Sequence, residues 1–313
     1  MRGTWGLEID TGRIGLCQIR QTSHGVELTR GASQPLPPNL VTPSLTESNI
    51  ADEQECVSQL RSLLHEVGWK GGTVAVALPD LTCRTGFQDF EELKGHRSEI
   101  RQILCWRLKD RLPFPVHEAR IDYQVMPTQG NGSRLLYLLA REGVIAQYES
   151  LLATVGLEPT RVITRGAALY RFHHLGGISG KRLFLALGPS SIVLVYAEEG
   201  IPRLWRVLPC NGHGDPHDAT HQARRVIREL QETLSYLRDE MGVERPDDLF
   251  LSGRSHESVA ESLTKAYQVP VHTAPEPHDG LPVDLLAPTG AALLHKTWRL
   301  EWILPSTWPR PRR

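Results

Sequence analysis

The chain opens with three short runs of mixed apolar and polar residues, Thr4 to Ile9, Arg13 to Arg20 and Val26 to Arg30. Turn residues separate them at Asp10-Thr11-Gly12 and Ser23-His24-Gly25. This pattern predicts a three-stranded meander. A Pro/Ser/Thr-rich connection from Pro35 to Ser48 leads into Asp52 to Val67, where apolar residues recur at helical spacing. Gly72 to Leu78 (GTVAVAL) reads as a buried strand ended by Pro79, and Ile100 to Leu112 as an amphipathic helix stopped by Pro113-Phe114-Pro115. Strands at Ile121 to Val125 and Arg134 to Ala140 follow, then a helix from Val144 to Val155 ending at Gly156. A strand at Arg161 to Thr164 and a helix from Gly166 to His173 complete this half.

Beyond Gly176-Gly177 and Gly180 the pattern begins again, with strands expected at Leu183 to Leu187, Ser191 to Tyr196 and Arg203 to Leu208. Residues 8–14 fall over residues 186–192 at a constant offset of 178, and both meanders carry Gly at the second turn, Gly25 and Gly200. Similarity at a fixed offset predicts duplicated lobes facing one another across a cleft. A long helix from about His217 to Met241, a strand Asp248 to Leu251, a Ser252-Gly253 turn, a helix Glu257 to Tyr267, a strand Val269 to His272 and a last helix after Gly290 complete the chain. Strand triplets followed by alternating helices and strands, given twice, predict a two-lobed α/β architecture.

Composition sharpens this picture mainly by exclusion. A length of 313 residues corresponds to roughly two domains. Thirty-five basic against 36 acidic residues leave a net charge of -1, too balanced for a global field that gathers nucleic acid. The longest apolar stretch, Leu183 to Ala197, has 15 residues and is interrupted by Gly188-Pro189-Ser190-Ser191, short of the ~20 needed to span a bilayer. MRGTWGLEID reaches an acidic residue before any apolar segment, so no signal peptide is expected and the chain is expected in the cytoplasm. Cys17, Cys56, Cys83, Cys105 and Cys210 are odd in number and widely spaced, and read as reduced packing residues.

The candidate chemistry lies in the turns. Backbone N–H groups and hydroxyls in tight turns form anion-binding concavities, so Asp10, Thr11, Gly12 and Arg13 in one lobe and Gly188, Ser190 and Ser191 in the other are candidates to hold a nucleotide's phosphates. The same residues also suit hairpin turns for backbone reasons alone. GGISGKR at 176–182 lacks the GxxxxGK[ST] phosphate-loop pattern and precedes its strand, so it reads as a turn. His213, His217 and His221 recur every four residues, but Gly214-Asp215-Pro216 interrupts them and no fourth ligand is evident, so no metal site is expected. On the long helix Val226, Ile227, Leu230, Leu234 and Leu237 form an apolar stripe, and Glu229 stands out only if the helix lines a cleft. The last 16 residues, WRLEWILPSTWPRPRR, hold three tryptophans, three prolines and four arginines; they suit a packing segment with a basic tail, or a strip touching a partner or anionic membrane. No Ser/His/Asp, Cys/His or paired-carboxylate signature supports hydrolytic catalysis.

Several stretches in order resemble one family. They are GLEIDTGRIGLCQI at 6–19, VAVALPD at 74–80, RQILCWRLKDRLPFPVHEARIDYQV at 101–125, YESLLATVGLEPTRV at 148–162, LFLALGPSSIVLVY at 183–196, ELQETLSY at 229–236, LFLSGR at 249–254 and PTGAALL at 288–294. Together they resemble the PilM family of type IV pilus assembly proteins, cytoplasmic members of the actin-like, FtsA-related ATPase fold. The resemblance implies two duplicated RNase H-like lobes: residues 1–173 with an inserted subdomain at about 72–140, and residues 174–298. A basic Trp/Pro-rich tail over 299–313 would follow. It adds Glu229, Gly253 and Gly290 to the nucleotide-binding candidates, with ATP and magnesium as the implied ligands.

The departures imply a degenerate site. Glu8 and Asp10 stand where the pattern has Asp then Gly, Ala186 replaces a second acid, Arg254 replaces a Gly, and Glu232 replaces an Arg. Glu229 follows Gly212 by only 17 positions, where relatives place a small helical subdomain, so that subdomain is expected to be reduced. The resemblance therefore implies a scaffold more than an enzyme, bound to the cytoplasmic N-terminal tail of a PilN-like inner-membrane protein in a first-lobe groove, and peripheral to the inner membrane. Lack of a membrane span points away from the type II secretion relative GspL. An active ATPase or kinase of the actin and sugar-kinase superfamily is the alternative.

Overall fold

The computed structural model describes residues 3–22, 25–128, 132–173, 179–210, 219–253, 256–267, 270–273 and 281–294. The histidines at 213 and 217, the loop at 211–218, Arg254 and the tail from 295 lie outside the described residues.

The first part of the chain gives β1 (Thr4–Asp10), β2 (Arg13–Thr22), β3 (Gly25–Pro35), α1 (Glu53–Glu66), β4 (Thr73–Leu78) and β5 (Arg84–Phe90). It continues with α2 (Arg97–Leu108), β6 (Ala119–Met126), β7 (Ser133–Arg141), α3 (Glu142–Thr154), β8 (Glu158–Thr164) and α4 (Arg165–His173). Five of these strands form one sheet in the order β3-β2-β1-β4-β8. The meander is antiparallel, while β4 runs parallel to both β1 and β8. Central β4, TVAVAL, is buried from its second residue on, as a parallel strand covered on both faces must be.

Local chemistry sets the helix limits. Asp52 caps α1 by accepting the Glu55 N–H at 3.0 Å. Gly156, at φ +72°, closes α3 in the left-handed conformation, with the Leu157 N–H reaching back to the Leu152 carbonyl at 2.9 Å. α2 starts three residues earlier than periodicity predicts, because Glu99 accepts the His96 N–H at 2.8 Å and completes a capping box.

The inserted subdomain is a separate sheet, β5-β7-β6, covered by α2. Its own core includes Phe90, Leu104, Phe114, Ile121 and Leu135. β4 belongs to the main sheet, so the insertion begins after it, with its first strand at Arg84 and its last residue near Arg141, which corrects the expected 72–140. β5 was not foreseen. Gly86, Gln88 and Asp89 blur its alternation, and the ladder to β7 makes it a strand.

The second part gives β9 (Lys181–Leu187), β10 (Ser191–Glu198), β11 (Ile201–Pro209), α5 (Ala219–Met241), β12 (Asp248–Gly253), α6 (His256–Tyr267), β13 (Val271–His272) and α7 (Leu286–Leu293). Its sheet has the order β11-β10-β9-β12-β13, the topology of the first sheet strand for strand. The register repeats too: Ile9 pairs with Ile14, and Leu187 with Ile192, each partner displaced by 178. Below this sheet, Ala223, Val226, Leu230 and Leu237 of α5 pack with Val259 and Leu263 of α6.

Compact units comprise residues 1–171 with the segment from Asp284 onward, and residues 172–283. The expected second lobe of 174–298 therefore loses α7, which packs on β1, β2 and β4 of the first unit. α7 also begins before Gly290 and does not follow it. Two glycines allow the close approach: a Cβ on Gly6 would lie 1.9 Å from the Pro288 carbonyl oxygen, and one on Gly290 1.9 Å from that of Ala168 in α4.

All five cysteines are free, with Cys17, Cys56 and Cys83 buried. Burial pushes the thiols of Cys17 and Cys83 up to about 12 and that of Cys56 to about 11, as packing residues require. Among the described residues no helix is long and apolar enough to cross a membrane.

Candidate functional site

In the first unit the β1–β2 turn brings Asp10, Thr11, Gly12 and Arg13 together. Asp10 is buried, and its Oδ1 accepts the Thr11 N–H at 2.8 Å, an interaction that shapes the turn from within. Gly12 is exposed, with open space where a Cβ would stand, and its carbonyl accepts the Leu36 N–H at 3.0 Å. Arg13 is held by Asp284 and by Ser33 Oγ, the latter at 2.5 Å.

Behind this turn lies a charge cluster that the candidate residues only touch. Glu8, Asp10 and Asp80 are each at most 2% exposed. Arg165 Nε lies 2.9 Å from Glu8 Oε1 and 3.2 Å from Asp10 Oδ2. Asp80 Oδ1 accepts the Gly166 N–H at 2.8 Å, so this carboxylate caps the start of α4 from the end of β4. Sheet register explains the meeting: Glu8 lies beside Ala77, Ala77 beside Ile163, and Arg165 follows two residues later. Burial pushes the Glu8 carboxyl up to about 7 against the pull of Arg165, and Asp80 up to about 6 for the same reason.

Sequence reasoning noted Glu8 but missed Arg165 and Asp80. A signal was present. Arg165 opens a helix, where a cation opposes the dipole, so its placement calls for nearby acids.

In the second unit the equivalent turn is neutral. The Gly188 N–H donates to the Ser191 carbonyl at 2.8 Å, the Cys210 N–H to the Ser190 carbonyl at 2.7 Å, and Ser191 is buried. Ala186 stands at the position of Glu8 and is fully buried. Ser252 and Gly253 do not form the expected turn; they end β12, paired with Ala186 and Leu187 of β9. Gly253 has φ +116°, and a Cβ there would sit 2.1 Å from the Leu187 carbonyl oxygen, so strand packing alone demands glycine. Glu229 pairs with Arg206 of β11 at 3.9 Å and with Arg228 at 3.5 Å. Arg206 also donates to the buried Thr233 hydroxyl at 2.5 Å and reaches Glu232 at 3.8 Å. Gly290, the last candidate, is required by the packing of α7 on α4.

These residues do not fit a magnesium ion. The first-unit carboxylates already face an internal guanidinium, and the second-unit turn supplies no carboxylate at Ala186 or Gly188. Among the described residues no group of three or more His, Cys, Asp or Glu has metal-ligand geometry.

Comparison with known proteins gives no matching family model and no matching curated protein. Solved structures do match. One is a chain of the PilM-PilN type IV pilus biogenesis complex, at TM-score 0.75 and 20% identity over 93% of this chain and 96% of that one. The cytoplasmic domain of EpsL, an inner membrane component of the type II secretion system of Vibrio cholerae, matches at TM-score 0.52 and 10% identity, covering 95% and 97% of the two chains. A Bacteroides thetaiotaomicron protein with actin-like ATPase fold and unknown function matches at 0.52 and 10%, over 91% and 95%.

This chain has the actin-like ATPase fold. The matching sheets, β3-β2-β1-β4-β8 and β11-β10-β9-β12-β13, are its two duplicated cores, and β5-β7-β6 with α2 is an addition to the first. Within that fold the β1–β2 turn rests on buried acids paired with Arg165, and the β9–β10 turn on neutral residues.

Proposed function

We propose that this protein is a cytoplasmic scaffold of type IV pilus assembly or a related secretion machine. It binds the cytoplasmic N-terminal tail of a PilN-like inner-membrane protein and sits at the membrane through that partner. Nucleotide binding is weak or lost. The observation that carries this reading is the near-complete overlay on a chain of the PilM-PilN complex, at TM-score 0.75. Support for the loss of nucleotide comes from chemistry: buried carboxylates committed to Arg165, Ala186 in place of an acid, and Glu229 held by Arg206.

Calorimetric titration of the full chain with a peptide copying the cytoplasmic N-terminal tail of a PilN-like protein tests the reading, with Mg-ATP titrated in parallel. Peptide binding without nucleotide binding is the expected result. Tight Mg-ATP binding with turnover, and no peptide binding, would replace the scaffold with an ATP-dependent enzyme.

A further inference from the structure

We propose that Arg165 is a resident cation of the first unit, an internal substitute for the metal ion that its buried acids would otherwise demand. Three carboxylates, Glu8, Asp10 and Asp80, are removed from water at the ends of β1 and β4. Buried charges need compensation, and a bare group of this kind is costly. Arg165 supplies it from the first position of α4, with side-chain exposure of only 11%. The other nearby guanidinium, Arg13, adds to the pull on Glu8 but hydrogen-bonds Asp284 and Ser33.

Four of the six carboxylate oxygens already have partners. Glu8 Oε1 and Asp10 Oδ2 face Arg165 Nε, Asp10 Oδ1 takes the Thr11 N–H, and Asp80 Oδ1 takes the Gly166 N–H. A divalent ion would have to expel the guanidinium and break these bonds together. The duplicated unit supports the same logic by contrast, since Ala186 and Gly188 replace the two β1 acids and carry no charge that calls for a cation. Arg165 ties β1 to the start of α4, and Asp80, just after β4, ties that strand's end to it through the Gly166 N–H. This inference concerns the ion content of one unit and stands whether or not the pilus reading holds.

The test uses the full chain as wild type, Glu8→Gln, Arg165→Met, and Arg165→Met combined with Glu8→Gln. The readouts are the thermal midpoint with and without millimolar Mg²⁺ or Mn²⁺, and Mn²⁺ uptake measured by electron paramagnetic resonance. Wild type should take up no Mn²⁺ and keep one midpoint in all buffers. Arg165→Met should lose roughly 10 °C, bind Mn²⁺ and regain part of the loss with it. The double variant should regain stability without metal. If Arg165→Met does not fold, the double variant decides: folding supports the inference and failure to fold overturns it. Mn²⁺ uptake by wild type that Glu8→Gln abolishes would overturn it, as would an Arg165→Met protein as stable as wild type.

Discussion

The two sheets share strand order and register, yet their first turns differ in charge. In the first unit the turn rests on Glu8 and Asp10 paired with Arg165, beside Asp80 at the start of α4; in the second, Ala186 and Gly188 take the places of the two β1 acids. Backbone geometry survives both solutions. The lesson is that the hairpin needs only its ladder and a tight turn, whereas the buried acids impose a further requirement that Arg165 meets. A turn shaped like a phosphate loop is thus evidence for the fold and not for a bound phosphate.

Substitutions can break this comparison, beginning where backbones meet. Gly290→Val should be the most damaging, costing more than about 4 kcal/mol or preventing folding, because its Cβ would fall 1.9 Å from the Ala168 carbonyl oxygen. Soluble yield and chemical denaturation would register it. Next, Arg165→Met leaves buried Glu8 and Asp10 without their ion-pair partner and should cost on the order of 3–5 kcal/mol in urea unfolding. Ala186→Asp transplants an acid into the second unit without a cation, so a loss of about 2–3 kcal/mol is expected. If that variant were neutral, the need for Arg165 in the first unit would itself be in question.

Smaller effects sharpen the contrast. Arg206→Ala releases Glu229 and leaves the buried Thr233 hydroxyl without this donor, which should cost about 1 kcal/mol in the same unfolding assay. Gly12→Ala meets open space and should change stability by less than about 0.5 kcal/mol. A large effect at Gly12 would mean that the turn has a steric duty that its surroundings do not reveal.

Much of the fold could be read along the chain, because hydrophobic runs and turn residues are local signals. The offset of 178 between Glu8-Ile9-Asp10 and Ala186-Leu187-Gly188 anticipated two sheets of one topology. What escaped was set by distant contacts. β5 owes its strand to β7, and α7 joins the first unit because Gly6 and Gly290 admit its backbone. The site was legible only in outline. The turn at Asp10 to Arg13 could be located, but Arg165 lies 155 residues beyond Asp10 and meets it only across β4. Gly253 and Gly290, candidates through the family resemblance, are in any case required by packing, which no local pattern reveals.

The proposed function has this actin-like fold bind its peptide partner independently of nucleotide. Titrating the PilN-like tail peptide into the full chain with and without saturating Mg-ATP tests it directly, since any nucleotide-linked state must show as a change in peptide affinity. The account predicts one dissociation constant in both buffers. A tail affinity that shifts tenfold or more with Mg-ATP, or a tail that binds only in its presence, would contradict it.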